Sequence, residues 1–370
     1  MIVSEFILIG ISTANWYIER AVIALLAARR VNKEISVALI GQFNQNQIAA
    51  IEGQGVMAIE FDDKDVIEYL WKQFNRSAIE SSKSKKTYYE FIHHYQGIEP
   101  FLHPFTPKLT MSLGYKYTLF LDSDNIAIHP IDFNLLTQLE SHAWIGACAL
   151  PSFRQTKQQH KKHNCYHINA GFIGYNNQLW LRHQGPRFWL RAMTEYMALC
   201  SSKKFCSHVY LGDGGVVLQL IRDIRNNITY PGLGPVNKLS FTTVDWRFNA
   251  LCHAIPCPDF GDLRPPYFFH STRCFPVPQC LLNYGDRRNN SLFIRGKKSS
   301  MYKITQILTE FPHPLIGWKN TSYNREENPT CSDFCRYEAY RQYDLACKES
   351  YANDPHFTER VDSSRPRCLI

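Results

Sequence analysis

The chain has 370 residues, 45% of them hydrophobic and 20% charged, with a formal net charge of +8. That length can bury a large core as one large domain with an extension or as two domains, and the composition is that of a folded protein. The positive charge favours anionic ligands in a general way, but the basic residues are scattered without a nucleic-acid motif, so nucleic-acid binding is not expected.

Residues Met1 to Ile9 lack a basic leader region and a small-residue cleavage site, and they read as a first strand. No run of about 18 apolar residues occurs, so no transmembrane span is expected, which leaves peripheral membrane contact as the compatible mode. The twelve cysteines are spread unevenly, as Cys148 in an apolar run and Cys165 among histidines illustrate. They are expected to be mostly free thiols in a reducing, cytoplasmic setting. Asn-x-Ser/Thr sequons begin at Asn75, Asn227, Asn289 and Asn320, and they matter only in a secreted chain.

Phe6 to Ile11 is a buried-type strand, and the polar turn Ser12-Thr13-Ala14-Asn15 follows it. A helix then places Ile18, Ala21, Val22, Leu25 and Leu26 on one apolar face, with Arg29 and Arg30 where cations favour a helix end. Strands at 35–40 and 56–61 flank a short helix at 45–52. This alternation specifies a parallel sheet covered by helices. Another amphipathic helix spans 64–80 through Val66, Tyr69, Leu70 and Phe74, and the basic run Ser81 to Lys86 reads as a solvated loop. No Gly-x-Gly-x-x-Gly and no Walker loop is present, which argues against a dinucleotide enzyme and a P-loop ATPase.

A helix from Lys108 to Leu113 leads into Tyr117-Thr118-Leu119-Phe120-Leu121, a buried strand that runs straight into Asp122-Ser123-Asp124. Side chains at i and i+2 of a strand project to one face about 6.5 Å apart, so two carboxylates can converge on a cation at roughly 2.1 Å from each. Few hard oxygen ligands suit Mg²⁺ or Mn²⁺ that also holds phosphate oxygens, and open α/β sheets bind ligands at the carboxyl ends of their strands. The competing reading is a turn in which the Asp side chains bond the backbone.

Farther on, 133–139 reads as a helix and Trp144 to Leu150 as a strand. Residues 151–163 carry Arg154, Lys157, Lys161 and Lys162 without an acid, which fits a cover over an anionic site or a wet loop. His160, His163, Cys165 and His167 could hold zinc, but ligands so close in sequence leave little room for tetrahedral closure. The strand His167 to Tyr175 contains Asn169-Ala170-Gly171, where a small residue allows close backbone approach. A long helix interrupted at Gly185-Pro186 runs to Cys200, and Asp213 opens another helix, where an acid also serves as a cap. Tyr267 to His270 is a last apolar strand. From Asp286 to Ser300 the composition turns polar and basic, dividing the chain into residues 1–285 and a carboxyl-terminal extension, 286–370, that is partly helix-like and has no assigned role.

With these pieces in order, residues 5–275 resemble the nucleotide-sugar glycosyltransferases of the GT-A fold, most closely family eight, which includes glycogenin and bacterial lipopolysaccharide galactosyl- and glucosyltransferases. The resemblance implies a GT-A, Rossmann-like, mixed and mainly parallel sheet flanked by helices. In it Ser12, Thr13 and Tyr17 look like the uridine-binding turn, and Lys108 matches the diphosphate-contacting base. Asp122-Ser123-Asp124 is similar to the metal motif, and His270 falls at the third metal ligand. Asn169-Ala170-Gly171 looks like the strand near the donor sugar, and Gly212-Asp213 matches the segment at the sugar site. Gly214 stands where the family has Gln, and Arg273 stands near its diphosphate Lys without the following Pro-Trp.

The resemblance implies a hexosyltransferase that uses Mn²⁺ or Mg²⁺ to move a sugar, glucose or galactose from a UDP donor, onto an acceptor hydroxyl with retention. Asn169 and Asp213 would position the reactants; Ser123, Gly171 and Arg273 would contact the donor. The acceptor, whether glycan, lipid-linked sugar or protein, is not named by the residues. Two alternatives stand beside this reading. One is a silent nucleotide-sugar-binding protein, made conceivable by Gly214. The other is an Asp-x-Asp phosphatase, whose motif wants Thr or Val where Ile126 stands.

Overall fold

The computed structural model describes residues 3–12, 15–81, 98–148, 168–201, 213–251, 266–270 and 331–361. Its strands in chain order are β1 (Phe6–Ser12), β2 (Ser36–Gly41), β3 (Met57–Glu60), β4 (Tyr117–Leu121), β5 (Asn125–Ala127), β6 (Trp144–Cys148), β7 (Ile168–Asn176), β8 (Thr229–Tyr230), β9 (Gly234–Pro235), β10 (Phe241–Val244), β11 (Ala250–Leu251) and β12 (Phe268–His270). The helices are α1 (Asn15–Val31), α2 (Gln45–Gly53), α3 (Lys64–Ser81), α4 (Thr106–Ser112), α5 (Asn177–Arg182), α6 (Gly185–Ser201), α7 (Asp213–Arg225), α8 (Cys331–Asn353) and α9 (Phe357–Val361).

A seven-stranded sheet in the order β10-β6-β7-β4-β1-β2-β3 forms the centre. Its pairs are parallel except that β7 runs against both β4 and β6. The expected mixed, mainly parallel α/β sheet flanked by helices is what the chain forms. Successive residues of β1 point to opposite faces: Phe6 and Leu8 enter one core, which contains α1, and Ile7, Ile9 and Ile11 enter the other, which contains Leu70 of α3, Trp189 of α6 and Val216 of α7. Burial on both faces explains why β1 is almost continuously apolar.

Three sequence expectations change here. Helix α1 is not simply amphipathic, because Ile23, Ala24, Ala27 and Ala28 are buried along with the predicted stripe. Its outer side is covered by α8 and α9, whose Ala339, Tyr343, Ala346, Cys347, Phe357 and Val361 belong to the same core as Phe6 and Leu8. The segment Phe133–Glu140 is a 3-10 helix capped by Asp132, whose carboxylate accepts from Asn134 N at 3.1 Å. Cys148 is disulfide-bonded, an exception within the expectation of mostly free thiols, while Cys347 is buried and outside any disulfide. The basic segment 151–163, the zinc-compatible string to His167 and the division after residue 285 lie outside the described residues. Among the described residues no helix is long and apolar enough to cross a membrane.

What positions the site is a change of partner at the end of β4. The chain turns after Leu121, with Asn125 N donating to Asp122 O at 3.0 Å, and β5 leaves the main sheet to join a three-stranded one. There it pairs antiparallel with β12, with Asn125 opposite His270. On the other side β7 places Phe172 opposite Leu121, and Asp122 N donates to Gly171 O at 3.0 Å. Residues far apart in sequence are thus brought to one sheet edge by strand register alone.

Candidate metal centre

At that edge Asp122, Asp124 and His270 each offer a ligand atom, and these atoms lie within 4.8 Å of one another. His270 Nε2 is 3.0 Å from Asp124 Oδ1 and 3.9 Å from Asp122 Oδ2. The imidazole is buried and Asp122 is half exposed, so the cluster is walled on one side and open on the other. Arg20 of α1 approaches from behind, its guanidinium 3.4 Å from Asp124 Oδ2.

The electrostatics follow from this crowding. Burial and the charge of Asp124 push the Asp122 carboxyl up, whereas for Asp124 the cost of burial is outweighed by His270 and Arg20, which hold it low. Burial alone would lower the His270 imidazole, but the charges of Asp124 and Asp122 raise it. Asp213 adds a further negative charge felt at Asp122. The site therefore carries an excess of negative charge that a cation relieves.

A divalent cation fits on the residues' own terms. Asp124 Oδ1 is buried with His270 Nε2 3.0 Å away and no other hydrogen-bond partner among the described residues, a costly state for a carboxylate oxygen. Two carboxylates and an imidazole suit Mn²⁺ or Mg²⁺ with positions left for phosphate oxygens.

The other predicted residues are distributed as follows. Asp213 is the first residue of α7, 15% exposed, with Gly214 N donating to its Oδ1 at 2.9 Å. Asn169 sits on β7, where its Oδ1 accepts from Gly171 N and from Asn249 Nδ2, both at 2.8 Å. That oxygen is fully used, so the amide nitrogen is the end available to a ligand. Gly171 is also small because its neighbours leave no room for a side chain. A Cβ there would come within 2.6 Å of the His270 ring and 2.9 Å of Asn249 Oδ1. Ser123 is half-buried and donates its backbone N–H to Asp122 Oδ1 at 2.7 Å. Ser12 is fully buried at the end of β1 beside Gly41, and Lys108 is exposed on α4. Thr13, the Tyr17 side chain and Arg273 lie outside the described residues.

Sequence reasoning missed Arg20, Asn249 and His103. His103 is buried with its Nε2 3.5 Å from Asp213 Oδ2 and its Nδ1 2.6 Å from the Tyr175 hydroxyl. Its ring stacks on Phe120 at 4.7 Å and meets Trp189 edge-on at 5.0 Å. A single Arg, Asn or His has no periodicity or spacing to single it out.

No protein-family model matches the sequence, and no curated protein matches it. Solved structures do. Mouse xyloside xylosyltransferase 1 in its apo form is 14% identical with a TM-score of 0.43, covering 74% of this chain and 99% of that one. The glycosyltransferase GlyE of Streptococcus pneumoniae TIGR4 is 16% identical with a TM-score of 0.41, covering 73% of this chain and 54% of that one. The galactosyltransferase LgtC, in complex with donor and acceptor sugar analogs, is 13% identical with a TM-score of 0.42, covering 71% of this chain and 86% of that one.

Proposed function

We propose that the protein is a metal-dependent glycosyltransferase that moves a hexose from a nucleotide-diphosphate sugar, UDP-glucose or UDP-galactose, to an acceptor hydroxyl with retention. The observation that carries this reading is the meeting of Asp122, Asp124 and His270 at one sheet edge, with a buried Asp124 oxygen turned toward His270 Nε2. In this reading the three side chains hold Mn²⁺ or Mg²⁺, which when bound neutralises charge on the departing diphosphate.

The chain's own residues supply the rest. Arg20 fixes the outer oxygen of Asp124, so that its inner oxygen faces His270. Asp213 accepts from sugar hydroxyls, and Asn169 donates to the donor through its amide nitrogen. Gly171 contributes by leaving room for His270. Lys108 and Arg273 add positive charge for the phosphates, and Ser12, Thr13, Tyr17 and Ser123 flank the nucleotide. A transition state with glycosyl-cation character needs positioning more than a strong nucleophile, which suits a site that offers amides and carboxylates rather than an activated Ser or Cys.

The test is UDP release from UDP-glucose and UDP-galactose with Mn²⁺ and with a chelator. Metal-dependent release is expected, together with a rise in unfolding temperature when UDP and Mn²⁺ are both present. Mn²⁺-dependent UDP binding without release would instead favour the silent binding protein for which Gly214 leaves room. Neither binding nor release would overturn both readings.

A further inference from the structure

We propose that Asn249 is a positioning residue that sets the tautomer of His270 and ties that imidazole to Asn169, so that the cation site and the sugar site share one amide. The inference rests on the function proposed above, and it follows from a chain of hydrogen bonds whose directions are forced. The backbone N–H of Gly171 can only donate, so the Asn169 side-chain atom 2.8 Å from it is the amide oxygen. That oxygen and the Asn169 main-chain carbonyl both face one end of the Asn249 amide, at 2.8 and 3.1 Å, and two acceptors require that end to be Nδ2.

The other end is therefore Oδ1. It accepts from Asn125 Nδ2 at 3.2 Å and lies 2.8 Å from His270 Nδ1. Nδ1 must carry a hydrogen, which turns the ring's metal-binding nitrogen, Nε2, toward Asp124 and Asp122. An outer partner of this kind fixes both the tautomer and the orientation of a ligating imidazole. Asn249 is 1% exposed and held in a 3-10 turn, Trp246–Asn249, that leads directly into β11 beside β12, so the same register that delivers His270 also delivers its partner.

The experiment measures Mn²⁺ affinity of the full chain by electron paramagnetic resonance for wild type, Asn249→Leu and Asn249→Asp, with circular dichroism to check folding. Asn249→Leu is expected to bind Mn²⁺ about 10- to 100-fold more weakly. Asn249→Asp keeps an acceptor for Nδ1 but loses both donors to Asn169. Its second oxygen is set against two acceptors on Asn169, so Mn²⁺ affinity is expected to fall less than in Asn249→Leu, staying within about tenfold of the wild type, while the donor KM rises. Equal affinity in wild type and Asn249→Leu would overturn the proposal and leave the metal site standing. A loss in Asn249→Asp as deep as in Asn249→Leu would also overturn it, and Asn249→Asp alone decides the matter where Asn249→Leu does not fold. A wild-type chain that binds no Mn²⁺ would instead remove the function on which the proposal rests.

Discussion

His103 and Asp213 face each other across 3.5 Å, although one precedes β4 and the other opens α7. The imidazole is completely buried, and burial holds it below its ordinary value, with Asp213 opposing that shift. His103 is thus a neutral ring with one nitrogen on the Tyr175 hydroxyl and the other aimed at a carboxylate. It gives Asp213 a rigid backing made of Phe120, Trp189 and Tyr175.

Replacing it should therefore cost stability as well as order at Asp213. His103→Ala opens a cavity between two aromatic rings and strands a buried hydroxyl, an expected loss of about 2–4 kcal/mol. Urea unfolding measures this as a lower midpoint with an unchanged slope. A variant as stable as the wild type would show that the ring carries no such load.

Asp124→Asn keeps the shape of the side chain and removes the charge shared by His270 and Arg20. Mn²⁺ binding is expected to disappear while circular dichroism stays native, and isothermal titration with Mn²⁺ checks it. Undiminished binding would strike Asp124 from the ligand set.

Mn²⁺ affinity should also depend on pH with a defined sign. Burial and Asp124 raise Asp122, and the two carboxylates raise His270 against the pull of burial, so both ligands tend to hold protons that the metal has to displace. Affinity is expected to weaken as pH falls from about 8 to about 6, by up to about tenfold per pH unit for each proton displaced. Titrations at several pH values that gave one constant would contradict the assignment.

Gly171→Ala tests the closeness of β7 to His270. A methyl group would press on the ring and on Asn249, and the ring cannot swing away without breaking its 2.8 Å contact with Asn249. Overpacking of this kind costs about 1–3 kcal/mol. The unfolding midpoint and Mn²⁺ affinity are expected to fall together, and a fall in neither would mean that the ring has room to spare.

The parts legible in the sequence were those with a repeating pattern. The run Tyr117 to Leu121 ending in Asp122 reads as a buried strand that exits at a charged edge, and the structure places it in the middle of the sheet. His270 came through family resemblance, since β12 has only three residues and β5 likewise, too short for periodicity to predict that they pair. Asn249 left no trace, because its importance comes from what β11 lies beside. The all-round burial of α1 was hidden for a similar reason: alanines at 24, 27 and 28 look neutral until α8 covers them.

That cover has an implication for how the chain is made. Glu349 grips Arg29 and Arg30 at 2.9 and 3.0 Å, Gln54 and Gln47 donate to the carbonyls of Ser350 and Val361, and Phe357 and Val361 are sealed inside. Helix α1, which delivers Arg20 to the acid pair, stays bare along one flank until translation has passed residue 361. A ribosome-bound intermediate would carry an oily ridge for most of its synthesis, and shortening the gene before α8 would leave that ridge permanently wet.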